Sequence, residues 1–160
     1  MTKNQHTLVA LVEDKPGVLN RVASLIRRRS FNIDSIAVGH SELPGLSKMT
    51  IAVDGATTAV EQVRKQLEKV IEVVKVTDIS EGRSVIRELA LIKVHTTSAT
   101  RREVIEIAEL FRARVVDVSA SSLIVEVAGD EEKIDTLCGL LRKFGIKELA
   151  RTGRIAVSRG

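Results

Sequence analysis

Apolar positions along the chain change period at regular intervals. Thr7-Leu8-Val9-Ala10-Leu11-Val12 is a continuous apolar run that stops at Glu13-Asp14-Lys15-Pro16-Gly17. Its length and turn-forming boundary predict a central strand buried on both faces. Val18, Leu19, Val22, Leu25 and Ile26 then recur on one face of a helix. Asp14 is a candidate cap for that helix, and Pro16 suits a first helical turn, where its missing N–H costs nothing. Arg27-Arg28-Arg29 falls where cations complement a helix C-terminus. Residues 32–38 alternate as a strand, 39–45 form a loop containing Pro44, and 46–53 return as a second strand, which together predict a hairpin. Val60, Val63, Leu67 and Val70 line a second helix opened by Thr57-Thr58, and residues 72–79 form a valine-rich strand. The order is βαββαβ.

The second half repeats it. A strand over 89–94 precedes a helix that begins near Thr100 and is marked by Val104, Ile105, Ala108 and Phe111. Strands at 115–118 and 123–127 flank the serine-rich turn 119–122, and Ile134, Leu137 and Leu141 line a helix after Asp130. Strand-like segments at 146–149 and 155–157 end the chain. Gly82 marks the boundary, so residues 1–80 and 81–160 are the expected domains. The fold class is α+β: two tandem ferredoxin-like sandwiches, each an antiparallel sheet with two helices on one face. The other face of each sheet, and the sheet edges, need cover, which predicts sheets joined or stacked across a homodimer.

Charge changes this picture little. The net charge is +4 and the chain holds three Phe, no Trp and no Tyr. Residues 1–80 carry 11 basic and 9 acidic side chains, and residues 81–160 carry 14 and 12, so the excess is spread evenly. An RNA-recognition module of this fold stacks bases on strand aromatics. Here the central strands are aliphatic and Phe31, Phe111 and Phe144 lie at or near helix ends, which argues against nucleic acid. No apolar run is long enough to span a membrane. His6, His40 and His95 are far apart, with no metal-ligand spacing, and Cys138 sits in an apolar helical pattern as a buried, inert thiol. The N-terminus has no signal-like apolar region, which points to the cytoplasm. No phosphate loop, nucleophile elbow or zinc-helix motif is present, so no catalytic residue is assigned.

The first strand-to-helix turn is the candidate site. A helix opening at Lys15-Pro16-Gly17-Val18 presents unpaired N–H groups and the positive end of a dipole, which suits a carboxylate. Gly17 lets a ligand approach the backbone closely. Asp14 can pair with an ammonium, and Asn32 offers an amide donor and acceptor at the start of the next strand. A carboxylate site, an anion and an apolar surround describe a free α-amino acid, although a plain helix start with a turn glycine has the same residues.

Leu11-Val12-Glu13-Asp14-Lys15-Pro16-Gly17-Val18-Leu19 resembles the opening of ACT domains, small modules that bind amino acids and regulate their metabolism. Arg28-Arg29-Ser30-Phe31-Asn32-Ile33-Asp34-Ser35-Ile36-Ala37-Val38-Gly39, with Leu46-Ser47-Lys48-Met49-Thr50-Ile51 and Lys65-Gln66-Leu67-Glu68-Lys69, narrows the resemblance to the small, regulatory subunits of acetohydroxyacid (acetolactate) synthase. Arg87-Glu88-Leu89-Ala90-Leu91-Ile92-Lys93-Val94, Phe111-Arg112-Ala113, Val116-Asp117-Val118, Ala150-Arg151-Thr152-Gly153 and Ser158-Arg159-Gly160 follow in the family's order.

The resemblance implies a non-catalytic partner in branched-chain amino-acid biosynthesis. Thiamine diphosphate, Mg²⁺ and FAD belong to the large catalytic subunit. The small subunit raises its activity and confers feedback inhibition by valine, or by leucine or isoleucine in some members. Two ACT domains pair side by side with the effector between them. Carried over by position, Asp14, Gly17 and Val18 come from one chain, and Asn32 and Ile33 from the other. Asp14, Ser30 and Lys48 depart from the family's usual Asn, Gly and Arg, and the lysine loses a bidentate fork. The alternative is a free-standing ACT sensor acting on another enzyme or on transcription.

Overall fold

A computed structural model of the chain describes residues 5–28, 32–79 and 83–160. Arg29, Ser30, Phe31 and the boundary glycine Gly82 lie outside the described residues. The chain divides into two compact units, residues 1–85 with 153–160, and residues 86–152.

In the first unit, β1 (Gln5–Glu13), α1 (Val18–Arg27), β2 (Asn32–His40), β3 (Leu46–Asp54), α2 (Thr57–Leu67) and β4 (Val73–Ile79) follow in the anticipated order. The sheet runs β2-β3-β1-β4, all neighbours antiparallel, so β1 is an interior strand and β2 an edge. Alternation along β1 sorts the two faces. Leu8, Ala10 and Val12 pack against Val18, Val22 and Ile26 of α1 and Val60, Val63 and Leu67 of α2. Each Val, Leu or Ile among them contributes about 1.5–3 kcal/mol by leaving water. The expected Asp14 cap is not formed: Gly17 occupies the cap position with φ 84°, and no side chain caps α1. Only glycine adopts that left-handed backbone without strain.

The opposite face of this sheet is also enclosed. Thr50 and Ala52 of β3 are 2% and 0% exposed there, opposite Val9 and Thr7 of β1. Residues 153–160, which the sequence repeat assigned to the second domain, return to this face. Arg154 Nη1 donates to the buried Thr7 Oγ1 over 3.2 Å. Gly153, at φ 77°, lies so close to β2 that an added Cβ would sit 2.6 Å from Ser35 Cβ and 2.9 Å from its Oγ. The chain then forms β9 (Ile155–Ser158), which pairs with β5, and Arg159 N–H donates to Arg83 C=O over 2.8 Å.

The second unit repeats the plan with β5 (Ser84–His95), α3 (Arg101–Leu110), β6 (Arg114–Val118), β7 (Ser122–Gly129), α4 (Glu131–Leu141) and β8 (Ile146–Arg151). Its sheet runs β6-β7-β5-β8. Ala90, Ile92 and Val94 of β5 pack with Val104 and Ala108 of α3 and with Ile134, Leu137, Cys138 and Leu141 of α4. Here a side-chain cap forms at the residue that precedes the expected helix: the Asp130 carboxylate accepts from Lys133 N–H over 2.8 Å. Glu88, 7% exposed, accepts from Arg151 Nε at 2.6 Å and Nη2 at 3.3 Å, while Arg151 Nη1 donates to Asp135 on α4 at 2.6 Å. These bonds, Glu88 foremost, hold the guanidinium above its already high pKa. Among the described residues, no helix is long and apolar enough to cross a membrane.

Replacing Gly153 by Val is expected to destabilise the chain by about 2 kcal/mol or more in urea unfolding, because left-handed strain adds to the clash with Ser35. Gly45→Ala, at φ 77° but with nothing within 4 Å of its Cβ, isolates the strain alone, at about 1 kcal/mol. Cys138 is 4% exposed, and burial pushes its thiol pKa up. The folded state therefore holds the proton more tightly than the unfolded chain. That share of stability is complete below the unfolded thiol pKa and is lost as pH rises through the higher folded value. A thiol reagent at pH 8 should label Cys138 far more slowly in native buffer than in urea; equal rates would contradict its burial.

Candidate functional site

The turn between β1 and α1 is tied down from two sides. Asp14 N–H donates to Gly45 C=O in the β2–β3 loop over 2.9 Å, and Glu13 N–H donates to Glu72 C=O over 2.8 Å. Lys15 Nζ pairs with Glu13 at 3.0 Å. These contacts fix the start of α1 at one end of the sheet, and the first helical turn leaves backbone N–H groups without intrahelical partners. Gly17 faces outward, with Arg21 Nη1 3.2 Å from where its Cβ would stand. Arg21 in turn forms an ion pair with Glu72. Arg21 therefore stands beside the open backbone of the turn with its charge met by Glu72, and it is the helix dipole that favours an anion there.

Asp14 is exposed and its carboxylate lies 3.5 Å from His40 Nδ1, at the last residue of β2. Val18 does not offer its side chain to this surface. At 2% exposure it belongs to the core, so its contribution is limited to backbone. Two exposed apolar side chains sit on the adjoining elements, Leu19 in the first turn of α1 and Val38 on β2.

Asn32 and Ile33 are not at this end. Asn32 starts β2 and pairs with Asp54, which also faces Gln5 at the beginning of β1. His40 pairs with Ser47, which faces Val12 at the end of β1. With a rise of about 3.3 Å per residue, Asn32 and His40 stand about 26 Å apart along β2. One chain therefore brings Asp14, Gly17 and the Val18 backbone together and leaves Asn32 and Ile33 at the far end of the same edge strand. Asn32 is exposed; Ile33 is partly buried and packs on the first core. A register irregularity between Ile33 and Ser35 puts a bulge at this end of β2.

Arg21 and His40 were not singled out in the sequence. Arg21 lies one helical turn beyond Gly17, a spacing that puts it over the turn. His40 emerges only from the hairpin register, since residues that end one strand and begin the next share an end of the sheet. Among the described residues, no group of His, Cys, Asp and Glu has the arrangement of a metal site.

Residues 8–75 match the family model of the ACT domain of acetohydroxyacid synthase small subunits, and residues 87–160 match that of the small subunit of acetolactate synthase. The chain is 56% identical to a probable acetolactate synthase small subunit of Archaeoglobus fulgidus over 98% of both chains. It is 52% identical to the acetolactate synthase small subunit of Mycolicibacterium smegmatis over 97% of this chain and 91% of that one. The crystal structure of the acetolactate synthase small subunit from Thermotoga maritima superposes with a TM-score of 0.90, at 43% identity and 98% coverage of both chains. With both halves matched in order, the chain belongs to the acetolactate synthase small-subunit family, regulatory subunits whose partner large subunit carries out catalysis.

Proposed function

We propose that this chain raises the activity of the thiamine-diphosphate-dependent large subunit and makes it sensitive to feedback inhibition by valine, or a related branched-chain amino acid, bound between two ACT domains. The ACT domain of the first unit, expected over residues 1–80, is the dimerising, effector-binding part, the second unit is the other domain without residues 153–160, and the complex works in the cytoplasm. The observation that carries this reading is the separation of two half-sites along one edge strand. Asp14, Gly17 and Val18 lie at the His40 end of β2, and Asn32 and Ile33 start it. Antiparallel pairing of two β2 edges about Ile36 places Asn32 of one protomer opposite His40 of the other. Each two-fold pair then has two complete sites, and the outward backbone groups of β2 are satisfied.

In each site the effector carboxylate meets the start of α1 with Arg21 behind it, and the ammonium meets Asp14. The Asn32 amide serves either charged group, and Leu19 and Val38 flank the aliphatic chain. Charge-assisted hydrogen bonds of about 1.5–3 kcal/mol each are enough for binding between micromolar and millimolar, which needs about 4–8 kcal/mol. One methylene is worth only about 1–3 kcal/mol, so selectivity among valine, leucine and isoleucine is graded. Binding across two chains alters their packing, and that difference biases the docked large subunit.

Asn32→Ala is expected to raise the valine concentration for half-inhibition by about 10-fold or more, the cost of one polar contact, while activation of the large subunit persists. Unchanged valine sensitivity in the reconstituted pair would refute the site. The purified chain alone, given pyruvate, thiamine diphosphate and Mg²⁺, is expected to form no acetolactate; turnover would refute the division of labour.

A further inference from the structure

We infer that the face of the first sheet turned away from α1 and α2 holds a second small-molecule site, for an aliphatic carboxylate of about four to six carbons. A cavity of 190 Å³ lies there. That is below the roughly 300–1,000 Å³ of pockets that take drug-sized ligands, which suits one short acid rather than a nucleotide.

Register fixes its floor. Leu11 of β1 stands directly between Lys48 of β3 and Lys75 of β4, and the next row on the same face places Val9 beside Thr77. All five residues line the cavity. With strands about 4.8 Å apart, the two lysine Cα atoms are about 10 Å from each other, within reach of one anion held over Leu11. Among the described residues, neither ammonium has an ion pair or a hydrogen bond. Two like charges flank an apolar floor, and the Glu42 carboxylate on the cavity's lining is paired with neither, so an anion held between the lysines relieves their repulsion. Residues 156–158 of β9 line another part of the cavity, so the ligand touches both the sheet and the returning C-terminal segment.

The chemistry selects the class. Two ammonium groups and the Thr77 hydroxyl suit a carboxylate, while Val9, Leu11 and Ile79 suit a short aliphatic chain. Glu42 also lines the cavity, from the β2–β3 loop, and no described cation pairs with it. An amino acid would place its ammonium there; an unaminated acid would leave Glu42 in water. Both share the carboxylate and chain that define the site. It is built from one protomer and contains none of Asp14, Gly17, Val18, Asn32 or Ile33, so it stands apart from the interchain site proposed above.

Calorimetric titration of isovalerate into the full chain, followed by L-valine and inorganic phosphate, tests it. Isovalerate is expected to bind, and Lys48→Gln with Lys75→Gln to weaken it about 10-fold or more. Thr77→Phe is expected to abolish binding with both lysines in place, and Asn32→Ala to leave it unchanged. Circular dichroism and urea unfolding of each variant confirm that it is folded. In the Asn32→Ala chain, tighter binding of valine than of isovalerate, equalised by Glu42→Gln, identifies an amino acid as the ligand; equal or weaker binding of valine identifies the unaminated acid. Absence of isovalerate binding, binding of phosphate alone, or loss of isovalerate in Asn32→Ala but not in the lysine variant would overturn the inference.

Discussion

The position of β1 between two antiparallel neighbours governs the first unit. A strand paired on both sides has no free backbone, so its side chains alone decide what each face of the sheet becomes. Its alternate residues divide into a set in which Leu8, Ala10 and Val12 seat both helices and a mixed set in which Leu11 is flanked by two lysines. The same pairing pushes β2 to the edge and fixes where the β1–α1 turn emerges. Core, edge and turn thus follow from one strand's register. Slipping it by one residue would exchange the two faces entirely.

The second unit uses the same order to a different end. Its core is as aliphatic as the first, but its sheet binds a near-buried carboxylate, Glu88, through a bidentate arginine on β8. Arg151 also reaches Asp135 on α4, so one cation ties two strands and a helix. A buried carboxylate without such a partner is strongly destabilising. The first unit achieves its equivalent closure through glycine geometry at Gly17 and Gly153, where backbone rather than charge sets the fit.

Most of the architecture was legible because it rests on local periodicity. The helix over Val18–Arg27 and the hairpin of β2 and β3 lie where apolar spacing placed them, within a residue or two. The helix after Asp130 was legible from its pattern, and the cap that Asp130 supplies to it is a finding of the structure. Asp14 misled, because Pro16 and Gly17 intervene and a left-handed glycine ends the loop before a side chain can cap it. Val18 was legible as part of the apolar stripe and is buried, whereas Leu19 of the same stripe is exposed. The return of residues 153–160 had no local signal at all. It depends on Gly153 fitting against Ser35, a contact between positions far apart in sequence, and periodicity carries no information about such pairs.

That return changes how the chain is connected. Residues 86–152 leave the first unit and re-enter it, so in topological terms the second unit is an insertion with both ends anchored. An anchored insertion has less conformational freedom to lose on folding than a tail of equal length, because its ends are already held near each other. It also means that a truncation after the first βαββαβ repeat removes part of the first unit as well as the second. Dissecting such a chain calls for excising the insert and rejoining its flanks, rather than for a single cut.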